Sequence, residues 1–159
     1  MSNIKDDIFE KIKSERGGLA SIHLAFSEFT QGVAAHYDFY KSIMLNEGLP
    51  LGRSDREFLA VETSRLNQCP YCVAHHAEAL KHSGSEPAGG KLEILKALAH
   101  TMTLEPWKSS PLFTQFIAQG FSQAQWQHAV MVVSYFNFVN RCAHAMNLEI
   151  EPDFKDTCR

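Results

Sequence analysis

Hydrophobic positions recur at three- and four-residue steps along nearly the whole chain, and no stretch alternates long enough to make a strand. Between Ser21 and Met44 the residues Phe26, Phe29, Val33, Tyr37, Tyr40 and Met44 share one stripe, while Glu28, Gln31 and Asp38 fall outside it. This predicts one long amphipathic helix. Gly48, Pro50 and Gly52 break it, and Ser54-Asp55-Arg56-Glu57 then has the form of a capping box that opens a helix reaching about Asn67. A third helix is expected from Pro70, whose missing N–H costs nothing at the first helical position. Lys81 and His82 suit its last turn, and Gly84 suits the left-handed residue beyond it. Another helix is expected from Lys91 to about Leu104. Pro106 and Pro111 punctuate a loop, and a short helical piece is expected from Leu112 to Ala118. Ser122-Gln123-Ala124-Gln125 is a second capping box; its helix turns Trp126, Val130, Val133, Phe136 and Val139 inward and ends near Met146. The pattern predicts an all-α protein of six or seven helices.

At 159 residues without repeats, low-complexity tracts or a linker, the chain reads as one domain spanning 1–159. A domain of that size buries roughly 68–70% of its unfolded surface, so its cysteines are not needed as staples. The net charge is −3 with dispersed lysines and arginines, which suggests neither nucleic acid nor an anionic membrane as partner. Charges throughout Met1 to Arg16 exclude a secretory signal, and no apolar run approaches a membrane span. The expected location is the reducing cytoplasm, where a C-x-x-C pair is catalytic or metal-binding rather than a structural bridge.

That pair is Cys69-Pro70-Tyr71-Cys72, followed by His75 and His76. At about 100° per residue, with Cys72 at zero, His76 lies near +40°, Cys69 near +60° and His75 near −60°. His76 shares a stripe with both sulfurs; His75 flanks the other side and is read as supporting or packing. With Cys69 as N-cap, the helix dipole favours a thiolate at either cysteine. A thiolate attacks a peroxide oxygen to give sulfenic acid, and a neighbouring thiol condenses with it to a disulfide. Two other readings stand beside this one: two cysteines packed as small apolar side chains, and a zinc site using Cys69, Cys72, His75 and His76. Four ligands on one helical run form a tetrahedron poorly. Val73 stands where covalent haem would need a histidine. Glu57 has a purely structural alternative as the third residue of its capping box. His23, His36, His82, His100, His128 and His144 are expected at helix surfaces or ends. Asn137, Asn140 and Arg141, interrupting an apolar stripe, are expected to bridge neighbouring helices or a subunit contact. Cys142 is expected to be buried, and Cys158, beside the last residue, to be mobile and without a partner at useful spacing.

Glu57, eleven residues, Cys69-x-x-Cys72, three residues and His76 together resemble the active-site pattern of the AhpD-like alkylhydroperoxidases, in the carboxymuconolactone decarboxylase superfamily. Ser64-Arg65-Leu66-Asn67-Gln68-Cys69-Pro70-Tyr71-Cys72-Val73-Ala74-His75-His76, together with Phe136-Asn137-Phe138-Val139-Asn140-Arg141, is closer still to the peroxidase-related branch, and the resemblance covers about residues 20 to 150. It implies a helical homo-oligomer, a trimer or hexamer, carrying out thiol-dependent peroxide reduction without a metal or organic cofactor. Cys72 would be the peroxidatic thiol, Cys69 the resolving thiol, and Glu57 and His76 the proton relay. The reductant would be an external dithiol such as a lipoylated protein. Tyr71 stands where the best-known members carry a second histidine. The superfamily's decarboxylases lack the cysteine pair.

Two functional classes follow: a peroxidase or general disulfide oxidoreductase cycling Cys69 and Cys72, or a non-catalytic helical oligomer using them as a redox- or metal-responsive switch. A thioredoxin-type enzyme would need strand–helix–strand alternation around the motif.

Overall fold

The computed structural model describes residues 4–158; residues 1–3 and 159, at the ends of the expected domain, lie outside them. The described residues form eight α-helices and no strand: α1 Ile4–Arg16, α2 Ser21–Leu24, α3 Thr30–Tyr40, α4 Arg53–Leu66, α5 Pro70–His82, α6 Gly89–Leu104, α7 Leu112–Ala118 and α8 Gln123–Ala145. A π-helical turn, Lys41–Leu45, continues α3, and 3₁₀ turns cover Pro106–Lys108 and Phe154–Thr157.

The all-α expectation holds, with two differences in the N-terminal third. The helix expected from Ser21 to Met44 is broken between α2 and α3. Phe29 is the N-cap of α3 with φ −123° and ψ 69°, outside the helical region. Its ring folds back over Gly32, where a Cβ would lie 2.4 Å from a ring carbon, so the glycine makes room for the break. Phe29 thereby leaves the stripe and is 61% exposed, while Val33, Tyr37 and Met44 stay in the core. The π turn then inserts a residue into the repeat and turns both Ile43 and Met44 inward. The second difference is α1, whose dense charges hide one buried residue, Ile12, packed with Val33 and Tyr37 in a small separate cluster. Ion pairs Lys11–Asp38 (3.0 Å) and Lys41–Glu15 (2.8 Å) fasten it at the surface. Solvent screening leaves exposed pairs of this kind a minor part of what holds the helix in place.

The centre of the fold is α4, which packs on α5, α6 and α8 and buries Arg56, Glu57, Phe58, Leu59, Ala60 and Val61 in succession. A helix buried on most sides can carry a charged side chain only with partners. The expected capping box does not form: Gly52 is the N-cap and Arg53 the first helical residue, which moves Glu57 two positions too deep to reach the N-cap amide. Its carboxylate is engaged elsewhere, as described below.

The α4–α5 turn is closed by Gln68 with φ +53°. Gln68 N–H donates to Arg65 O (3.0 Å) and Cys69 N–H to Ser64 O (2.9 Å), the paired bonds of a Schellman ending. This places the dipeptide Cys69-Pro70 at the mouth of α5, with Pro70 at its first position as expected. The capping box at α8 forms as expected: Gln125 N–H donates to Ser122 Oγ (3.2 Å) and Ser122 N–H to Gln125 Oε1 (2.7 Å). Asn137 and Asn140 bridge helices. Asn67 Nδ2 donates to both side-chain oxygens at 3.0 Å, Asn137 donates to Thr103 Oγ1 (3.1 Å), and Asn140 donates to Ser64 Oγ (3.0 Å). Two of the histidines expected at surfaces are buried instead. His23 is 1% exposed, and His128 is held between Leu51 N–H and Ile43 O, tying the π turn to α8.

Candidate active site

Cys69 is the N-cap of α5 and Cys72 its third residue, so both sulfurs sit at the positive end of a thirteen-residue helix. Both are buried and reduced. A hydrogen bond from the Cys72 thiol, helped by the Cys72 backbone N–H and the Asn140 amide, pulls Cys69 down to about 6 against the opposing effect of burial. The same sulfur–sulfur hydrogen bond, with burial and repulsion from a Cys69 thiolate, pushes Cys72 up. The pair therefore holds one negative charge near neutral pH, on Cys69, with Cys72 as donor. Of the two sulfurs, Cys72 lines the cavity described below.

His76 lies one turn beyond Cys72. Its Nδ1 is 2.7 Å from Glu57 Oε2, and Arg53 Nε donates to Glu57 Oε1 at 2.6 Å. Glu57 is completely buried. Burial alone would raise its carboxyl, but His76 and then Arg53 overcome that and hold it below the ordinary carboxylate range. A carboxylate can only accept, so His76 carries its proton on Nδ1 and leaves Nε2 with a lone pair. Phe136 stands edge-on to the ring at 4.6 Å and Tyr40 at 6.2 Å, fixing its plane. The i, i+4 spacing of Arg53 and Glu57 was legible in the sequence, but the apparent capping box masked it.

The other two predicted residues, Tyr71 and His75, lead to a second cluster. Tyr71 Oη donates to Glu151 Oε1 (3.0 Å), and His75 Nε2 donates to Glu151 Oε2 (2.8 Å). The Ser21 backbone N–H also donates to Glu151. Burial opposes ionisation of Glu151, yet these bonds, led by that of His75, hold its carboxyl far below the ordinary range. On the other side of the His75 ring, Nδ1 is 3.6 Å from Cys158 Sγ, and Phe154 packs on the ring at 5.2 Å. Cys158 is therefore a buried, anchored residue, not the loose end expected from its position. No local sequence signal pairs Glu151 or Cys158 with α5; the contact spans more than seventy residues.

These groups surround one cavity of about 250 Å³. Cys72, His75, His76 and Cys158 line one part of it, and Tyr40, Tyr135 and Phe136 form an aromatic wall. His36 Nε2 meets Tyr135 Oη at 2.7 Å. Burial, and then the charge of Arg16, pushes His36 down to about 4, so this wall is polar and uncharged. The four residues considered for zinc do not converge: His76 is committed to Glu57 and His75 to Glu151. Among the described residues no group of three or more His, Cys, Asp or Glu side chains is arranged to hold a metal.

A helical fold with a Glu–Cys–Cys–His constellation at a helix mouth has counterparts among known proteins. Residues 33–105, a little under half of the chain, match the carboxymuconolactone decarboxylase family. The fold of the chain is that of the AhpD-like, peroxidase-related proteins. A peroxidase-related protein from Silicibacter sp. TM1040 is 21% identical with a TM-score of 0.82, over 97% of this chain and 88% of that one. A peroxidase-related protein with an alkylhydroperoxidase AhpD core, from Ralstonia eutropha JMP134, is 18% identical with a TM-score of 0.84, over 99% and 94%. The debrominase Bmp8 is also similar, 16% identical with a TM-score of 0.70, over 97% and 89%. No curated protein matches the sequence.

Proposed function

We propose that this chain is a thiol-dependent peroxidase working through a Cys69–Cys72 dithiol–disulfide cycle. The observation that carries the reading is the buried Glu57–His76 pair, 2.7 Å apart, whose histidine lines with Cys72 a cavity that Cys69, a hydrogen-bonded thiolate, does not itself line. The Cys72 proton passes to Cys69 or to Nε2 of His76, giving a Cys72 thiolate. That thiolate attacks the near oxygen of a hydroperoxide; the O–O bond breaks, Cys72 becomes sulfenic acid, and the departing alkoxide takes a proton from the relay as alcohol. Cys69, as thiolate, then attacks the Cys72 sulfur and expels hydroxide, which leaves as water. Two thiols and one hydroperoxide have become a disulfide, an alcohol and water. An external dithiol, such as a lipoyl group on a partner protein, restores the thiols. Exposed Phe29, Trp107 and Phe138 offer apolar surface for the homo-oligomer this reading includes. The absence of an N-cap bond at Glu57 supports its place in the relay.

A second reading has its own support. The cavity is larger than a small peroxide needs and is walled by Tyr40, Tyr135 and Phe136, which suits a planar aromatic substrate. In that reading a Cys72 thiolate attacks the halogen of a halogenated ring; the carbon–halogen bond breaks, the ring carbon takes a proton from the His76 relay, and Cys72 becomes a sulfenyl halide, at the oxidation level of a sulfenic acid, from which Cys69 expels halide to close the disulfide.

Stopped-flow oxidation by one equivalent of peroxide tests the main reading. The expected result is loss of both thiols to an intramolecular disulfide much faster than glutathione reacts, abolished by Cys72→Ser. Oxidation no faster than that of glutathione, with rapid bromide release from a brominated pyrrole, would replace it with the second.

A further inference from the structure

Glu151, His75 and Cys158 form an acid–imidazole–thiol series whose imidazole and thiol line the cavity that also holds Cys72, with Glu151 behind the ring. The Glu151 carboxylate accepts from His75 Nε2–H, and Nδ1 of the same ring lies 3.6 Å from the Cys158 sulfur, whose thiol donates to Phe154 O (3.1 Å) and turns from it to meet the imidazole. This is the arrangement that turns a thiol into a nucleophile: a base within reach, itself oriented by a third group. Nothing in the Glu57–His76 relay uses it.

We propose that Cys158 is a third redox thiol, which takes over the disulfide from Cys69–Cys72 by exchange and presents it at the edge of the fold to the external dithiol. The inference rests on the dithiol cycle proposed above. Cys158 gives its proton to His75 Nδ1, and its sulfur attacks the Cys72 sulfur. The Cys69–Cys72 bond breaks, a Cys72–Cys158 bond forms, and Cys69 leaves as a thiolate. No electrons enter or leave, so no further oxidant is required.

Two features favour this direction. Exchange expels the better-stabilised thiolate faster, and Cys69, the N-cap of α5, keeps the Cys72 backbone N–H and the Asn140 amide as donors when it leaves. Access is the second. Cys69 does not line the cavity and is 1% exposed beneath Cys72, so an incoming dithiol has poor in-line approach to the first disulfide. Cys158 follows the short 3₁₀ turn Phe154–Thr157, whose neighbours Pro152, Asp153, Lys155 and Asp156 are exposed. Cys158 is itself buried, so a dithiol reaches the second disulfide by displacing this peripheral segment and leaves the α4–α5 turn in place.

The test oxidises Cys69→Ser protein with one equivalent of hydrogen peroxide, with and without dimedone, and maps peptides under non-reducing conditions. The expected product is a Cys72–Cys158 disulfide, formed at least tenfold more slowly when His75→Gln is added. The Cys69→Ser, Cys158→Ser protein should instead accumulate the Cys72 sulfenic acid that dimedone traps. A dimedone adduct on Cys72 with no link to Cys158 in Cys69→Ser overturns the inference and leaves the peroxidase reading standing. No oxidation of Cys72 overturns both. Wild-type protein gives an independent measure: after full oxidation, a detectable fraction of Cys72–Cys158 alongside Cys69–Cys72 supports the exchange, and Cys69–Cys72 alone contradicts it.

Discussion

His75 and His76 are neighbours on α5, and each gives a nitrogen to a glutamate, yet the two pairs are built in opposite ways. His76 donates from Nδ1 to Glu57, a completely buried residue of the central helix that the Arg53 guanidinium also holds. His75 donates from Nε2 to Glu151, which lies in the segment after α8 and keeps 17% of its side chain exposed. The first pair is part of the core and cannot move without disturbing it. The second pair is a clasp, joining a peripheral segment to the same helix through Tyr71, His75 and the Ser21 amide. One helix thus carries a rigid, core-bound histidine–glutamate pair on one side and a peripheral one on the other.

His76→Ala is expected to break the core pair with the largest effect. Loss of the base should slow peroxide consumption by ~10²–10⁴-fold at neutral pH. It also leaves Glu57 buried with one partner instead of two, and removing one partner of a buried ion pair costs ~3–5 kcal/mol. Chemical denaturation should show a matching drop in midpoint. Glu57→Gln, which keeps a hydrogen-bond acceptor and removes the buried charge, should recover part of the stability but little of the rate. Equal recovery of both would mean that Glu57 acts only as a structural partner.

The acid limb of the wild-type rate sharpens the same point. Cys69 is held down to about 6, so the thiolate is present above that pH and is lost below it. The single-turnover rate with hydrogen peroxide should be flat at neutral pH and fall about tenfold per unit well below 6, as thiolate fraction dictates. Asn140→Leu, which removes an amide that favours both thiolates, should move this limb upward. A limb that stays near the ordinary thiol range in wild type would show that the sulfur–sulfur hydrogen bond does not form in solution.

Glu151→Gln addresses the clasp and should have a smaller, local effect. Because the bonds to Glu151 hold its carboxyl below the ordinary range, its contribution is complete above about pH 4–5 and declines as pH falls toward the depressed value. The amide should loosen residues 151–158, seen as faster hydrogen exchange there and faster alkylation of Cys158, with exchange in α4 unchanged. Faster exchange spreading into α4 would make the segment part of the core.

Much of this was legible in the sequence where the signal is local. The capping box at Ser122, Pro70 at the head of α5 and the terminating Gly84 are set by neighbouring residues, and the helices form accordingly. The Glu57–His76 meeting was legible only through the family spacing, because Ser54 to Glu57 imitates a cap. The break at Phe29 depends on one ring folding over Gly32, and a stripe at helical period does not reveal it. Cys158 and Glu151 were opaque for a different reason: their partners lie on α5, and the closing contact is fixed by tertiary packing alone.

The smallest effect tests the turn that delivers the thiols. Both long helices next to the site end on a left-handed residue, Gln68 at φ +53° after α4 and Asn147 at φ +48° after α8. Asparagine tolerates that conformation, whereas a glutamine pays for it in steric crowding of its Cβ. Gln68→Gly should relieve that crowding, offset in part by greater freedom of the unfolded chain, for a net gain of up to ~1 kcal/mol in denaturant unfolding. The Cys69 N–H to Ser64 O bond is retained in the substitution, so the peroxide rate should change less than twofold. A stability gain with a large loss of rate would mean that the strained turn itself holds Cys69 against Cys72, and that the orientation of the pair depends on it.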